Sequence, residues 1–200
     1  YQAAVKSIEK IYTPQNRKLV QTDYTNTLTK HSDVYGTFVY QPTSVTEQTY
    51  EPMANKVIQS VTTNYSYDNY GNLLAQTATY GNGDVQKVTN TYNNNTTDWI
   101  IGLLTRSVST STVNGSSQTN TVEYAYNNTT GLLQTQTVEP NQSSYKSITT
   151  YTYDGYGNVA TKTKKVGSTS RVESYTYEKG RFIKTHTDVL GQVESFVYDP

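Results

Sequence analysis

The stretch from Tyr175 to Val193 reads YTYEKGRFIKTHTDVLGQV. Tyrosine alternates with threonine at its start, and this alternation places successive side chains on opposite faces of a β-strand. The glycine at position 180 can adopt a positive φ, so the residues after Tyr177 predict a tight hairpin turn. The apolar pair Phe182-Ile183 then begins a returning strand, and Leu190-Gly191 marks a second turn. The stretch therefore predicts strand, turn and strand.

The same pattern recurs along the chain. An aromatic-x-Tyr triplet is usually followed by Asp, Asn or Glu, then by a glycine-containing turn and an apolar pair, although Gln41 follows Tyr40. The triplets end at Tyr40, Tyr67, Tyr126, Tyr153, Tyr177 and Tyr198. A weaker copy begins at Tyr92-Asn93 and is lengthened by an insertion that contains Trp99. The recurrence predicts an array of β-hairpin repeats, each about two dozen residues long.

Each turn is expected to depend on a tyrosine at the strand end, a polar residue that accepts backbone N–H groups, and a glycine. Asn and Glu can accept such bonds in place of Asp. We assign the structural repeat motif to Tyr67, Asp68, Gly71, Tyr92, Asn93, Gly102, Tyr126, Asn127, Gly131, Tyr153, Asp154, Gly157, Tyr177, Glu178, Gly180, Asp188, Gly191, Tyr198 and Asp199.

The repeats divide the chain into two parts. Residues 61–200 carry clear copies, whereas residues 1–60 match only through the segment 31–42, which mirrors the segment 186–200. We interpret residues 1–60 as divergent copies of the same unit. Because the last residues begin another copy, we expect the chain to be a fragment of a longer array that continues past residue 200.

The composition agrees with a sheet and excludes several classes of protein. Val, Thr and Tyr, which suit a pleated and half-buried surface, number 19, 35 and 20 among 200 residues. Aliphatic residues are few, but the net charge of zero argues against disorder. The neutral balance also argues against nucleic-acid binding, and no apolar run is long enough for a membrane span. The absence of cysteine excludes thiol catalysis and Cys-based zinc sites.

The motif Tyr-Asp, turn, Gly-Asn and apolar pair resembles the Rhs or YD repeat of rearrangement-hotspot proteins, toxin-complex subunits and teneurins. The resemblance implies an all-β fold in which antiparallel hairpins form a ribbon or part of a hollow shell. In the toxin branch, such a shell encloses a C-terminal effector. The implied partners are the other repeats, the enclosed effector, and further toxin-complex or secretion-system subunits, in a secreted or cell-surface bacterial protein. The resemblance implies no cofactor, and an isolated piece should be poorly stable because repeats bury their faces against neighbours.

Two functions of different classes stay open, with an enzyme as a distant third. The first is a non-catalytic wall segment of such a shell. The second is a cell-surface module that binds carbohydrate or a partner protein. In that case Tyr70, Tyr80 and Tyr156, which lie outside the motif, are the candidates for exposed contacts.

The remaining conspicuous residues each allow a structural and a functional interpretation. His31 and His186 occupy equivalent places, each two residues before an aspartate (Asp33 and Asp188), so they could bind a metal or could be surface turn residues. Trp99 could contact a partner, but beside two isoleucines it is expected to be a local core plug. The run Lys162-Thr163-Lys164-Lys165 predicts a solvated hairpin edge. Carboxylates occur one per turn, and no pair predicts a glycosidase dyad.

Overall fold

A computed structural model describes residues 8–30 and 38–199, all of them in strands, turns or irregular segments. The strands are β1 (Ile8–Tyr12), β2 (Lys18–Lys30), β3 (Phe38–Glu51), β4 (Lys56–Tyr67), β5 (Leu73–Tyr80), β6 (Val85–Asn95), β7 (Ile100–Val113), β8 (Ser116–Tyr126), β9 (Leu133–Val138), β10 (Ser147–Tyr153), β11 (Val159–Val166), β12 (Thr169–Glu178), β13 (Phe182–Thr187) and β14 (Val193–Ser195). The expected all-β fold is confirmed.

The strands follow one another in chain order within a single sheet, from β1 to β14. The recorded pairs are antiparallel, so each strand is joined to the next as a hairpin. By residue contacts the chain divides into two compact units, Tyr1–Thr91 with Val108–Thr119 and Tyr92–Ser107 with Asn120–Pro200. No helix in the described residues is long and apolar enough to cross a membrane.

Many strands carry a β-bulge at a tyrosine that is their last or second-last residue. The pairing register shifts immediately before Tyr12, Tyr50, Tyr67, Tyr126, Tyr153 and Tyr177. A bulge increases the local twist and re-aims the side chain at that position. We call this arrangement the tyrosine bulge.

The sheet buries very little. Among the described residues only Tyr50 and Ala78 are buried apolar side chains, and no large side chain is fully enclosed. Thr22, Thr121 and Thr149 are the buried polar residues in this part of the chain. A single layer of strands has no second layer to pack against, which explains how a folded chain can have a mean hydropathy of −0.71.

Cross-strand pairs supply cohesion in place of a core. Thr152 lies opposite Thr161 with their hydroxyl oxygens 2.6 Å apart, and Thr176 lies opposite Thr185 at the same distance. Hydroxyl pairs of this kind stabilise an antiparallel sheet. The threonines alternate with the motif tyrosines, so they lie on the opposite face of their strands.

Candidate functional site

The turn after Tyr153 shows how the repeat motif works. The backbone N–H of Asp154 donates to the carbonyl of Asn158 at 2.9 Å, and Gly157 N–H donates to the carbonyl of Asp154 at 3.2 Å. Asp154 Oδ1 accepts the N–H groups of Tyr156 and Asn158, both at 2.9 Å, and Asp154 Oδ2 accepts Asn158 Nδ2–H at 3.0 Å. Gly157 has a φ of +85°. We call this five-residue arrangement the Asp turn.

These bonds also set the charge state of the aspartate. The hydrogen bond from the Asn158 side chain, together with three backbone N–H groups, lowers the pKa of Asp154. A carboxylate that accepts several N–H groups is favoured in its charged form. The aspartate is therefore engaged within its own turn.

The Asp turn recurs at two other sites. Asp68 Oδ1 accepts the N–H groups of Tyr70 and Asn72 at 2.8 and 2.9 Å. Asp188 Oδ1 accepts the N–H groups of Leu190 and Gln192, both at 2.8 Å. The sequence pattern places a second turn at Leu190-Gly191, and the structure shows that this turn has the geometry of the Asp turn.

A longer turn forms where asparagine replaces aspartate. Asn127 Oδ1 accepts the N–H groups of Thr129 and Thr130 at 2.9 and 3.0 Å, and Gly131 follows with a φ of +71°. We call this the Asn turn. It contains one residue more than the Asp turn, because Asn127 N–H pairs with the carbonyl of Leu132.

In the unit with the insertion, the Asn turn begins two residues later than the sequence pattern predicts. Asn93 lies inside β6, and Asn95 instead accepts the N–H groups of Thr97 and Asp98 at 3.0 and 3.1 Å. Gly102, the third residue of β7, donates its N–H to Asn94 Oδ1 at 2.8 Å. Three consecutive asparagines, 93 to 95, made the choice between them impossible from pattern alone.

Glu178 ends its strand in a different kind of turn. Lys179 and Gly180 both have positive φ, at 52° and 71°, and Arg181 N–H donates to the carbonyl of Glu178 at 3.2 Å. Two consecutive residues with positive φ match the right-handed twist of a hairpin. This turn is therefore closed by its backbone, and the Glu178 side chain accepts no hydrogen bond among the described residues.

The tyrosine bulge directs a hydroxyl toward the neighbouring hairpin. Tyr153 donates to the carbonyl of Leu133 at 2.5 Å, and Tyr177 donates to the carbonyl of Val159 at 2.9 Å. Both carbonyls lie beyond the last paired residues of the two strands, where the backbone ladder has ended. Two further motif tyrosines form the same contact, Tyr67 with Pro42 at 3.1 Å and Tyr198 with Ile183 at 3.0 Å. The hydroxyl thus replaces a ladder bond between successive repeats.

Partial burial of the motif tyrosines affects the ionisation of their hydroxyls. Burial raises the pKa of the Tyr67, Tyr126, Tyr153 and Tyr177 hydroxyls above their usual value of 10.0. Loss of water around a phenol disfavours the charged phenolate. At neutral pH these four hydroxyls are protonated, so each is able to donate a hydrogen bond.

Two copies of the turn lie in the N-terminal region, and neither is in the segment 31–42 that the sequence pattern indicates. No turn follows Tyr40, which lies inside β3. After Tyr12, Thr13 N–H donates to the carbonyl of Arg17 at 2.8 Å, and Arg17 N–H donates to Thr13 Oγ1 at 3.1 Å. After Tyr50, Met53 N–H and Ala54 N–H both donate to the Glu51 carboxylate. The sequence signal available for these turns was a tyrosine followed by a polar residue, with an asparagine three or four residues after that polar residue. Residues 31–37, including His31 and Asp33, lie outside the described residues.

Trp99 does not fill a local core. The residue is 73% exposed, and its φ is +54°. The interpretation as a core plug is therefore wrong, because the adjacent strand is half-buried at most and offers no enclosed space. Of the tyrosines outside the motif, Tyr156 is 81% exposed, Tyr70 is also exposed, and Tyr80 is half-buried at the end of β5.

His186 is not a surface turn residue. It lies inside β13, and its ring stacks on Tyr175 with the centroids 4.8 Å apart. Tyr175 in turn donates to Glu173, which also receives Lys162 Nζ at 3.3 Å. These bonds lower the pKa of Glu173, with the Tyr175 hydroxyl as the main cause. No group of three metal-binding side chains occurs in the described part of the chain.

The lysine run is divided between two roles. Lys162 pairs with Glu173, whereas Lys164 and Lys165 are exposed near the end of β11. Lys164 lies directly opposite Arg171 on β12. A row of exposed cations on neighbouring strands keeps this end of the hairpin solvated.

Comparison with solved structures finds matches that cover most of this chain. TcdB2-TccC3, crystallised without its hypervariable C-terminal region, matches with a TM-score of 0.58 and 10% identity, over 96% of this chain and 16% of that chain. The Tc holotoxin pore from Photorhabdus luminescens matches with a TM-score of 0.37 and 14% identity, over 91% of this chain and 11% of that chain. A porin-like protein from Bacteroides uniformis matches with a TM-score of 0.34 and 17% identity, over 86% of this chain and 60% of that chain.

Only the first of these three similarities is close enough to support an argument, and it concerns the fold alone. The chain spans 16% of the length of that protein. No family model matches the chain, and no curated protein matches it.

Proposed function

We propose that this chain is a non-catalytic wall segment of an Rhs-type β-shell, which encloses a C-terminal toxin or effector polypeptide for delivery to target cells. The observation that carries the proposal is the fold likeness to TcdB2-TccC3, a protein with a hypervariable C-terminal region, over 96% of this chain. On this proposal the partners are the remaining repeats, the enclosed effector and other toxin-complex subunits. The whole protein is secreted or held at the bacterial surface.

The polar faces of the sheet and the bonds within its plane support the proposal that it forms a wall. A layer that separates two aqueous spaces needs polar groups on both faces and cohesion within its own plane. The threonine pairs supply cohesion on one face, and the tyrosine hydroxyls join successive hairpins on the other. Since almost nothing is buried, each hairpin depends on its neighbours for stability.

The test uses the complete protein that contains this chain. We expect electron microscopy to show a closed hollow particle with density inside, and limited proteolysis to leave the C-terminal region uncut until the wall is opened. A compact particle without an internal space, or a C-terminal region cut as fast as an exposed loop, would contradict the proposal.

A further inference from the structure

The sequence contains two Asn-Gly pairs, Asn82-Gly83 between β5 and β6 and Asn114-Gly115 between β7 and β8, and both are exposed. An asparagine before glycine can react with its own backbone, because the next nitrogen lies close to the side-chain amide and glycine has no side chain to shield it. Both pairs lie in the unit Tyr1–Thr91 with Val108–Thr119. The two pairs therefore share residue types and exposure, and they differ in their hydrogen bonds.

Asn82-Gly83 is held by three hydrogen bonds within its turn. The Gly83 N–H donates to the carbonyl of Tyr80 at 2.9 Å. Asn82 Oδ1 accepts the N–H of Asp84 at 3.1 Å, and Asn82 Nδ2 donates to Asp84 Oδ2 at 2.8 Å. The nitrogen that would attack, and both ends of the amide that would be attacked, are thus engaged. A local opening that breaks these bonds must precede any reaction at this pair.

Asn114-Gly115 lacks such bonds. Within the described residues, neither the Gly115 N–H nor the Asn114 side chain has a hydrogen-bond partner. No atom lies within 4 Å of the position that a Cβ on Gly115 would occupy, so the tip can rotate without displacing a neighbour. The strands behind the tip stay joined by the hydroxyls of Thr112 and Ser117, which are 2.7 Å apart. The side-chain amide and the backbone nitrogen are therefore free to approach each other while the hairpin stays folded.

We propose that Asn114-Gly115 is a self-modification site, at which the folded chain converts Asn114 into aspartate and isoaspartate. The Gly115 backbone nitrogen loses its proton to water or hydroxide and forms a bond to Asn114 Cγ. The side-chain nitrogen then takes up a proton and leaves as ammonia, which completes a cyclic imide. Water adds to either carbonyl of the imide and opens the ring, giving aspartate or isoaspartate. The net reaction consumes water, releases ammonia and needs no further reactant.

The modification changes a contact between two neighbouring turns. The backbone N–H of Asn114 donates to Asp84 Oδ1 at 3.0 Å, and this bond joins the β7–β8 turn to the β5–β6 turn. A carboxylate at position 114 places a second negative charge beside Asp84, which disfavours the contact. Isoaspartate also adds a carbon to the main chain, so the two-residue turn no longer matches the strands that it connects. We expect the modification to release the β7–β8 tip from its neighbour.

The test follows both sites in the complete protein that contains this chain. The protein is incubated at neutral and at alkaline pH, digested with trypsin and mapped by mass spectrometry. Lys87 and Arg106 lie between the two sites, so the sites fall in different peptides. We expect Asn114 to be modified at least about tenfold faster than Asn82, because opening three hydrogen bonds costs more than this factor. Both rates should rise with pH, since the attacking nitrogen must lose its proton.

The same protein in concentrated urea is the matched control, because both pairs then lose their structure and should react at similar rates. Asn114→Gly removes the amide and keeps a residue that tolerates the φ of 50° at this position, so the variant should fold. Incubation should lower the melting temperature of the parent protein by more than that of Asn114→Gly. Asp84→Ala removes the acceptor of Asn82 Nδ2 and should speed the modification of Asn82.

The proposal is overturned if Asn82 is modified as fast as Asn114 in the folded protein. It is also overturned if Asn114 of the folded protein stays intact over the time in which both sites react in urea. Equal losses of melting temperature in the incubated parent and in Asn114→Gly would overturn the inferred release of the β7–β8 tip.

Discussion

The turn after Tyr153 and the turn after Tyr12 have the same backbone but different side-chain chemistry. Both follow a tyrosine bulge, and both close with an N–H to carbonyl bond across five residues, at 2.9 Å for Asp154 and 2.8 Å for Thr13. The Asp154 carboxylate accepts three hydrogen bonds, whereas the Thr13 hydroxyl accepts one. Positive φ is supplied by Gly157 in one turn and by Asn16 in the other.

The difference shows which part of the repeat is indispensable. The bulge and the left-handed residue occur in both turns, so they define the hairpin. The carboxylate is a reinforcement that a hydroxyl can replace. The Tyr12 hydroxyl also belongs to the first described strand, which has no earlier described hairpin beside it.

The largest expected effect comes from the left-handed position. Gly157→Val places a β-branched side chain at a φ of +85° and should lower the free energy of unfolding by about 2 kcal/mol. Gly155→Val is the matched control, because Gly155 lies in the same turn, has an ordinary φ and has open space around it. Thermal denaturation of both variants checks the difference, and equal losses would show that φ is not the cause.

The second-largest effect on stability is expected from removal of the tyrosine hydroxyl. Tyr153→Phe keeps the ring but leaves the Leu133 carbonyl without its donor, so we expect a loss of about 1 kcal/mol in the free energy of unfolding. Tyr12→Phe should change stability much less. Urea denaturation measures both variants, and similar losses would mean that the ring, and not the hydroxyl, joins the repeats.

The Tyr153 hydroxyl also makes the stability of the fold depend on pH in the alkaline range. Burial raises the pKa of Tyr153, so this group stabilises the fold fully below the unfolded value of 10.0, and the contribution is lost as pH rises above it. Tyr153→Phe should therefore flatten the alkaline limb of a stability profile.

A smaller effect is expected at low pH. The pKa of Asp154 is held below its ordinary value of 3.8, so its contribution is present above that value and is lost as pH falls through the lower folded pKa. Asp154→Asn should retain the turn and weaken the acid dependence of the melting temperature. If the melting temperature of the variant falls at acid pH as steeply as that of the parent chain, Asp154 has the same pKa in the folded and unfolded chain.

The smallest expected effect is a gain in stability. Thr13→Asp should convert the hydroxyl turn into an Asp turn and raise the free energy of unfolding by about 0.5 kcal/mol. Denaturation at neutral and acid pH checks both the gain and the new acid dependence that should accompany it. A loss at neutral pH would show that the two turns differ in more than this side chain.

Much of the fold could be predicted because it is local. The alternation of tyrosine with threonine indicates strands, and glycine three residues after an aspartate marks a turn that only a few residue types can form. The motif residues around Asp68, Asn127 and Asp154 accordingly occupy turns. The pattern failed where several residues could serve equally, as with Asn93 and Asn95.

The sequence by itself determined the strands, the turns and the absence of an aliphatic core, because these depend on period, on φ and on composition. Only the tertiary structure decided which carbonyl each tyrosine reaches, that His186 stacks on Tyr175, and that Trp99 is exposed. Such contacts join residues from different strands. Their geometry depends on the register shift at each bulge, and a one-residue shift moves a side chain to the other face of the sheet.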